Sequence, residues 1–271
     1  MILKGKVALI TGAGSGIGRA LAHSLAKRGC HLALADINPA NLGQTAAEVG
    51  KYPISVNTIV LDVTDKEAIK KLPDEVIQYH GSVDLLINNA GIAAGGTFMM
   101  LSEDDFDRVM EVNFHAVVRI TRVFLPHLLQ REEAKIVNIS SLFGLISPAE
   151  QTAYSASKFA LRGFSNALRH ELEETSVGVS VVHPGGIATN IAESALKPKS
   201  ATVEEINLKL ARAKKLLRMP PDKAGEIIVK GIGKNKARII VGMDAKALTL
   251  IERLMPNGYW RVYKLLSGNR D

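Results

Sequence analysis

The chain has 271 residues, 46% hydrophobic and 23% charged, a balance that excludes a disordered protein and favours one large globular core. Charged residues or Gly interrupt every apolar run before it reaches the ~18 residues that a membrane-spanning helix needs. We also read no secretory leader in the first residues, so we expect a cytoplasmic protein. The net charge is +7, and the positive excess lies in the C-terminal part, since residues 191–271 carry 17 Lys and Arg against 8 Asp and Glu. No nucleic-acid motif accompanies this excess, and we predict no nucleic-acid partner and no metal site.

Short runs rich in Val, Ile and Leu predict seven buried strands, at residues 7–11, 31–36, 58–63, 84–88, 135–140, 178–183 and 237–241. Segments with the helical spacing of apolar residues separate these runs. The alternation predicts an α/β protein with a Rossmann-like, doubly wound, seven-stranded parallel sheet and helices on both faces, in a single domain. Ligands of such folds bind beyond the carboxyl ends of the strands.

Two segments depart from this simple repeat, one inside the expected sheet domain, 1–245, and one after it. The insertion at 191–221 contains the basic helical segment 206–218, which is either a lid over the substrate or a plain surface helix. The extension at 246–271 is basic and amphipathic, and a proline and a glycine divide it into two short helical pieces. It suits packing on its own subunit or dimer mate, or, as a less favoured alternative, peripheral membrane contact.

A glycine-rich turn, TGAGSGIG, follows the first predicted strand and opens a predicted helix at 17–28. It contains Gly12, Ser15, Gly16, Ile17 and Gly18. Backbone without side chains can approach a pyrophosphate there, and the free N–H groups at the helix start face the anion. Such a turn alone could be only a tight strand-to-helix connection, but its place after the first strand favours dinucleotide binding.

An acidic residue, Asp36, ends the second predicted strand, 18 positions after Gly18. Its carboxylate can accept hydrogen bonds from both ribose hydroxyls of an adenosine, and it would repel a 2′-phosphate. Neither Ser15 nor Ile37 supplies a compensating cation, so we predict NAD(H) rather than NADP(H). The alternative is that Asp36 merely caps the helix that follows Pro39.

A tyrosine and a lysine, Tyr154 and Lys158, stand four residues apart on a predicted helix and therefore project from one face. Chance could produce this pair on an exposed helix with a lysine whose head reaches solvent. The preceding strand, however, delivers Ser140 and Ser141 to the same edge of the sheet. A phenol beside an ammonium can act as a general acid or base at neutral pH, because the positive charge should lower the pKa of the phenol.

Together, TGAGSGIG, NNAG at 88–91 and YSASK at 154–158 resemble the short-chain dehydrogenases/reductases, with their TGxxxGxG and YxxxK motifs. The ordered landmarks cover residues 11–190. The resemblance implies an oxidoreductase that transfers hydride between a nicotinamide cofactor and an alcohol or carbonyl. It implies a catalytic set, namely Asn113, Ser141, Tyr154 and Lys158, and favours Ser141 over Ser140.

The resemblance also implies further cofactor contacts beyond the glycine turn and Asp36. These are Asp62, Val63, Asn89, Ala90, Gly91, Pro184, Gly185, Ile187 and Thr189, together with Tyr154 and Lys158. Lys158 is implied to hold the nicotinamide ribose, and Asn113 to hold a water towards Lys158 in a proton path. The alternative for Asn113 is an amide satisfied inside the core.

The substrate pocket is predicted to be mostly apolar, which favours a hydrophobic secondary alcohol or its ketone. Its predicted substrate contacts are Ser141, Phe143, Gln151, Tyr154 and Gly186, and its further apolar walls are Ala93, Ala94, Phe98, Leu142, Leu145, Ile191 and Leu196. No cluster of cations for a carboxylate or phosphate substrate is evident in the sequence around this pocket.

Two long helical segments, 103–130 and 154–174, carry apolar residues beyond one buried stripe, and in relatives these helices pair between subunits. We therefore expect a homodimer or homotetramer. Competing functions are an NADP(H)-dependent carbonyl reductase and a catalytically silent NAD(H)-binding sensor or scaffold. A sugar-nucleotide epimerase would bring a larger C-terminal domain, and an enoyl reductase a wider spacing of tyrosine and lysine.

Overall fold

A computed structural model describes residues 1–267 as alternating strands and helices that form one seven-stranded sheet. The strands are β1 (Val7–Thr11), β2 (His31–Asp36), β3 (Val56–Val60), β4 (Leu85–Asn88), β5 (Ala134–Ile139), β6 (Val177–Pro184) and β7 (Arg238–Val241). All pair in parallel, in the order β3-β2-β1-β4-β5-β6-β7. The predicted doubly wound Rossmann-like sheet is confirmed.

Ten α-helices lie in the described part of the chain. They are α1 (Gly16–Ala26), α2 (Pro39–Val49), α3 (Lys66–His80), α4 (Glu103–Met110), α5 (Ala116–Leu128), α6 (Thr152–Glu171), α7 (Val203–Leu216), α8 (Pro221–Gly233), α9 (Met243–Leu254) and α10 (Tyr259–Ser267). A π-helical turn, Glu111–His115, joins α4 to α5, and a 3₁₀ turn, Leu142–Gly144, follows β5. No helix of residues 1–267 has both the length and the hydrophobicity needed to cross a bilayer.

Side chains of one strand alternate between the two faces of the sheet, which produces two apolar cores. In β1, Ala8 and Ile10 join the core beneath α1, α2 and α8, whereas Leu9 joins the core beneath α3, α5 and α6. Because both faces are covered, the inner strands are buried along their whole length. This explains why apolar runs located these strands in the sequence.

The predicted boundaries of the third strand are wrong. The third strand ends at Val60 rather than at residue 63, because it lies at the sheet edge and buries only Ile59. The chain after it turns, with the Asp62 carboxylate accepting a hydrogen bond from Thr64 N at 2.8 Å. The predicted helix 103–130 runs without a gap from Glu103 to Leu128, and its middle turn, Glu111–His115, is π-helical.

Candidate active site

A cavity of about 1180 Å³ opens at the carboxyl ends of the strands. It extends from β2 and β3 across the switch point between β1 and β4 to the far side of β6, where ligands of doubly wound sheets bind. All but two of the predicted site residues line it; the exceptions are Gly18 and Asn113. The lining members are Gly12, Ser15, Gly16, Ile17, Asp36, Asp62, Val63, Asn89, Ala90, Gly91, Ser141, Phe143, Gln151, Tyr154, Lys158, Pro184, Gly185, Gly186, Ile187 and Thr189.

The glycine-rich turn gives the cavity a backbone floor. Helix α1 begins at Gly16, and the side chain of its N-cap, Ser15, makes no capping hydrogen bond. The first N–H groups of a helix have no intrahelical partner, so they are available to an anion. Gly18 shapes the turn from beneath: a Cβ there would lie 2.0 Å from the Gly12 carbonyl oxygen. Only a residue without a Cβ can lie this close to the Gly12 carbonyl. This explains why the motif has glycine at position 18, although Gly18 does not face the cavity.

Asp36 ends β2 at the edge of the same turn. Its two carboxylate oxygens accept hydrogen bonds from Gly14 N at 2.8 Å and from Asn38 N at 2.9 Å. The residue that caps α2 is Asn38, whose side chain accepts from Asn41 N. The capping alternative for Asp36 is therefore wrong, and its carboxylate lines the cavity instead.

The loop after β4 closes the middle of the cavity. Thr11 Oγ1 accepts hydrogen bonds from the backbone of Asn89 and Ala90, both at 3.1 Å. The Asn89 amide in turn donates to the carbonyls of Thr11 and Gly12, at 2.9 and 3.0 Å. The NNAG segment is thereby fastened to the glycine-rich turn, and the two predicted cofactor motifs form one surface.

Tyr154 and Lys158 lie one helical turn apart in the first part of α6, and both are buried. The Lys158 Nζ donates a hydrogen bond to the Ile139 carbonyl at 3.1 Å and lies 5.6 Å from the centroid of the Tyr154 ring. Only 4% of Lys158 is exposed. The alternative of a lysine whose head reaches solvent is therefore wrong.

The two serines after β5 have different partners. Ser140 Oγ is buried and donates to the Lys158 carbonyl at 3.0 Å, which ties α6 to the sheet. Ser141 lines the cavity together with Tyr154 and accepts a hydrogen bond from Phe143 N at 3.1 Å. The Phe143 ring packs edge-on against the Tyr154 ring at 6.2 Å. This arrangement favours Ser141, and not Ser140, as a substrate contact.

Burial is the largest influence on the pKa values of Tyr154 and Lys158. Loss of solvent raises the pKa of Tyr154, and the hydrogen bond with Ser141 opposes this only in part. Burial also lowers the pKa of Lys158, to about 8. The expectation that Lys158, together with the positive charge of an oxidised nicotinamide, lowers the pKa of Tyr154 stays a prediction, and burial of the phenol acts against it. The site stabilises the protonated phenol.

Asn113 lies in the π-helical turn and is fully buried. Its side chain bonds both backbone groups of Ile92, accepting from N and donating to O at 2.9 Å each. It also donates to Ser157 Oγ at 3.0 Å, and Ser157 Oγ donates to the Tyr154 carbonyl at 2.8 Å. The amide is therefore satisfied inside the core, as in the alternative interpretation. It anchors the loop after β4 to α6.

A turn at the end of β6 lines the same cavity as Tyr154 and Lys158. It contains Pro184, Gly185, Gly186, Ile187 and Thr189, the segment predicted to surround a nicotinamide. Ile187 is buried and pairs with Met219 through an isolated parallel bridge. The turn is therefore held against the chain that follows α7.

Comparison with known proteins agrees with this geometry. The profile described as short chain dehydrogenase matches residues 6–200. The SadH protein of Mycobacterium tuberculosis is 41% identical over 265 residues, covering 96% of this chain and 94% of SadH. The chain belongs to the short-chain dehydrogenase family.

Solved structures of family members place both nicotinamide cofactors on this fold. A short-chain dehydrogenase/reductase from Burkholderia phymatum in complex with NAD is 30% identical, with a TM-score of 0.87 over 94% of this chain and 95% of that one. A metagenomic short-chain oxidoreductase in complex with NADP is 26% identical, with a TM-score of 0.72 over 89% and 98%. This short-chain dehydrogenase therefore has the fold of NAD(P)-binding oxidoreductases.

Some predicted walls of this short-chain dehydrogenase lie elsewhere. Phe98 is 65% exposed, and Leu145 is buried beneath the cavity rather than lining it. Sequence reasoning also missed cations, since the cavity wall includes Arg108, Lys197, Lys209, Arg212 and Lys264. Of these, Lys209 is paired with Glu150 at 2.8 Å. Sequence reasoning did not place these cations at the cavity, because they come from four separate segments of the chain.

The C-terminal helices α9 and α10 complete the wall opposite the glycine-rich turn. Leu248 is buried against the 3₁₀ turn, and Tyr259 Oη accepts from Ser147 N at 3.0 Å. Trp260 and Tyr263 stack at 5.5 Å and line the cavity. The extension thus packs on its own subunit, the favoured alternative. Residues 268–271 lie outside the described part of the chain.

Proposed function

We propose that this short-chain dehydrogenase is an NAD(H)-dependent alcohol dehydrogenase or carbonyl reductase that acts on a hydrophobic secondary alcohol or its ketone. One observation carries this proposal. Tyr154, Lys158 and Ser141 line the same cavity as the glycine-rich turn and Asp36. A proton donor and a dinucleotide cradle therefore share one enclosed space, which is the requirement for coupled proton and hydride transfer.

The residues present fit a nicotinamide dinucleotide. The glycine-rich turn would hold the pyrophosphate with backbone N–H groups, and Asp36 would hold the adenosine ribose. Preference for NAD(H) is supported by the residues around Asp36: Ile37 is apolar and 63% exposed. The Arg19 guanidinium donates to the Gly14 carbonyl at 2.6 Å and to Thr45 Oγ1 at 3.0 Å, and is thereby engaged with the fold.

When bound, the dinucleotide supplies the hydride acceptor or donor and, in its oxidised form, a positive charge. In carbonyl reduction Tyr154 Oη donates its proton to the substrate oxygen, and in alcohol oxidation the phenolate accepts the hydroxyl proton. Ser141 Oγ hydrogen-bonds the same oxygen and orients it. Burial raises the pKa of Tyr154, which favours the protonated form that carbonyl reduction requires. Asn113 acts as a positioning residue through Ser157 and the Tyr154 carbonyl.

An apolar substrate body is supported by the walls next to Tyr154. Phe143 and Leu142 come from the 3₁₀ turn, and Leu248, Trp260 and Tyr263 come from the C-terminal helices. On the other side α7 turns Ile206, Leu210 and Ala213 to the cavity, which supports a lid role for the insertion 191–221. Such surfaces bind by removing apolar area from water.

A panel of alcohols and ketones, followed by nicotinamide absorbance with both cofactors, tests this proposal. The panel includes apolar ketones with and without a remote anionic group, because cations reach the cavity wall. We expect turnover of apolar substrates and a higher kcat/KM with NAD(H). Tyr154→Phe should abolish turnover and retain NADH binding, whereas Tyr79→Phe, on the exposed face of α3, should change neither. Turnover by Tyr154→Phe would refute the acid/base role, and preference for NADP(H) would refute the cofactor assignment.

A homodimer or homotetramer remains our proposal for the assembly. The segments that carry α5 and α6 leave Leu129 and Phe159 exposed at 43% and 37%, in line with apolar contacts between subunits. Light scattering at micromolar concentration measures the mass directly, and a mass near the monomer value of 29.2 kDa would contradict this proposal.

A further inference from the structure

The turn at Gly185 and Gly186 is clamped from two sides. Gly185 N donates to the Val241 carbonyl at 2.8 Å, and the Gly185 carbonyl accepts from Ile187 N at 3.0 Å. The Gly186 carbonyl accepts from two N–H groups that follow α7, those of residues 218 and 219, both at 3.0 Å. The fourth backbone group, Gly186 N, is different because its partner is a side chain, the carboxylate of Asp244, at 2.7 Å.

Asp244 reaches this turn from the first turn of α9. The space around its carboxylate is filled by backbone. A Cβ on Gly185 would lie 2.3 Å from Asp244 Oδ2, and a Cβ on Gly242 would lie 2.2 Å from Oδ1. Both glycines are thus required by the carboxylate between them, since any side chain would displace it. Asp244 also lines the cavity.

We propose that Asp244 is a positioning residue that fixes the Gly185–Gly186 turn against the nicotinamide half of the cofactor. The inference rests on the proposed function and adds a C-terminal residue to it. A carboxylate that accepts a backbone N–H makes a stronger bond than a neutral acceptor. By holding Gly186 N, Asp244 keeps the turn from moving into or away from the space beside Tyr154. The adenosine half is built from other elements, namely the glycine-rich turn after β1 and Asp36 at the end of β2.

The nicotinamide and adenosine halves of the cofactor site are built from different elements, and this provides the test. NADH and ADP-ribose share the adenosine and pyrophosphate groups, but ADP-ribose lacks nicotinamide. Dissociation constants of both are measured by calorimetry for the wild type, Asp244→Ala, Asp244→Asn and the control Asp222→Ala. Asp222 is an exposed acid in the first turn of α8, so its removal deletes the same charge from an equivalent helix position away from the cavity. Thermal unfolding of each variant checks the fold.

We expect Asp244→Ala to weaken NADH binding about tenfold, as for loss of one charge-assisted hydrogen bond, and to leave ADP-ribose binding within about twofold. Asp244→Asn should restore part of the NADH affinity, because its amide oxygen still accepts from Gly186 N but as a neutral partner. Asp222→Ala should change neither constant.

Unchanged NADH binding by Asp244→Ala would overturn the inference, and so would an equal loss of ADP-ribose affinity, which would indicate general damage. An Asp244→Asn variant as weak as Asp244→Ala would show that charge, and not the hydrogen bond, matters, and would also overturn it. If the wild type binds ADP-ribose and NADH but turns over no alcohol or ketone, the proposed function fails while the positioning role stands. If the wild type binds neither ligand, both fail.

Discussion

Lys158→Met should reveal how strongly the fold is destabilised by enclosing an ammonium group. Lys158 is 4% exposed, and burial lowers its pKa from 10.5 to about 8. Between pH 8 and 10.5, Lys158 is therefore mostly protonated in the unfolded chain and mostly neutral in the folded chain. Stability of the wild type rises with pH wherever the unfolded state binds more protons. The cost of the buried charge is thus largest below pH 8 and disappears as the pH approaches 10.5.

The free-energy cost of burying the charged Lys158 follows from the difference of about 2.5 units between its two pKa values, at about 1.4 kcal/mol per unit. Linkage gives a cost of about 3 kcal/mol at pH 7 and about 1 kcal/mol at pH 9.5. The methionine variant also loses the hydrogen bond to the Ile139 carbonyl, a contribution that does not change with pH. We therefore expect the free energy of unfolding of the variant, minus that of the wild type, to fall by about 2 kcal/mol from pH 7 to 9.5.

Urea unfolding of the cofactor-free proteins at four pH values between 7 and 9.5 measures this difference, and the shared titrating groups cancel. Lys135→Met is a matched control, because Lys135 is 2% exposed and burial lowers its pKa to about 8 as well. It should show the same trend in stability and keep enzyme activity, whereas Lys158→Met should lose activity. A stability difference for Lys158→Met that is flat across this range would refute the reasoning.

Three further predictions concern separate parts of the chain. Asp36→Ser should raise the ratio of kcat/KM for NADP(H) over NAD(H) at least about tenfold, because the repulsion of a 2′-phosphate is removed; an unchanged ratio would contradict this. Trp260→Ala should raise KM for bulky ketones and leave the smallest ketones unaffected, since the indole lines the far wall; equal losses for all sizes would argue against a wall role. Cys30 is buried, and burial raises its pKa to about 12, so Ellman's reagent at pH 8 should label it only in urea. Labelling of the native protein at the rate of a free thiol would contradict that burial.

The sequence was sufficient for the sheet because its inner strands are buried on both faces and read as apolar runs. The edge strand β3 was misplaced, since one buried residue, Ile59, gives little pattern. The glycine-rich turn, Asp36 and the Tyr154–Lys158 pair were located because each depends on local spacing, and the structure brings them to one cavity.

What the sequence could not provide depends on contacts between distant segments. The π-helical turn that carries Asn113 adds a residue to a helix without a local signal, and its amide partner, Ile92, is 21 positions away. Asp244 is 58 positions from Gly186, so no spacing rule connects them. The pKa of Tyr154 was expected to fall because its charged neighbour was visible in the sequence and its burial was not.

The C-terminal helices have a consequence for engineering this enzyme. The family profile ends at residue 200, whereas the far wall of the cavity comes from α7 and α10. Grafting α7 (203–216) and the C-terminal segment 243–267 from a relative, while keeping α8 and β7, should therefore transplant substrate selectivity onto the same dinucleotide scaffold. In such chimeras, the segment taken from the relative must carry a carboxylate or an amide at the position of Asp244. That group is needed to accept the hydrogen bond from the Gly185–Gly186 turn of this chain.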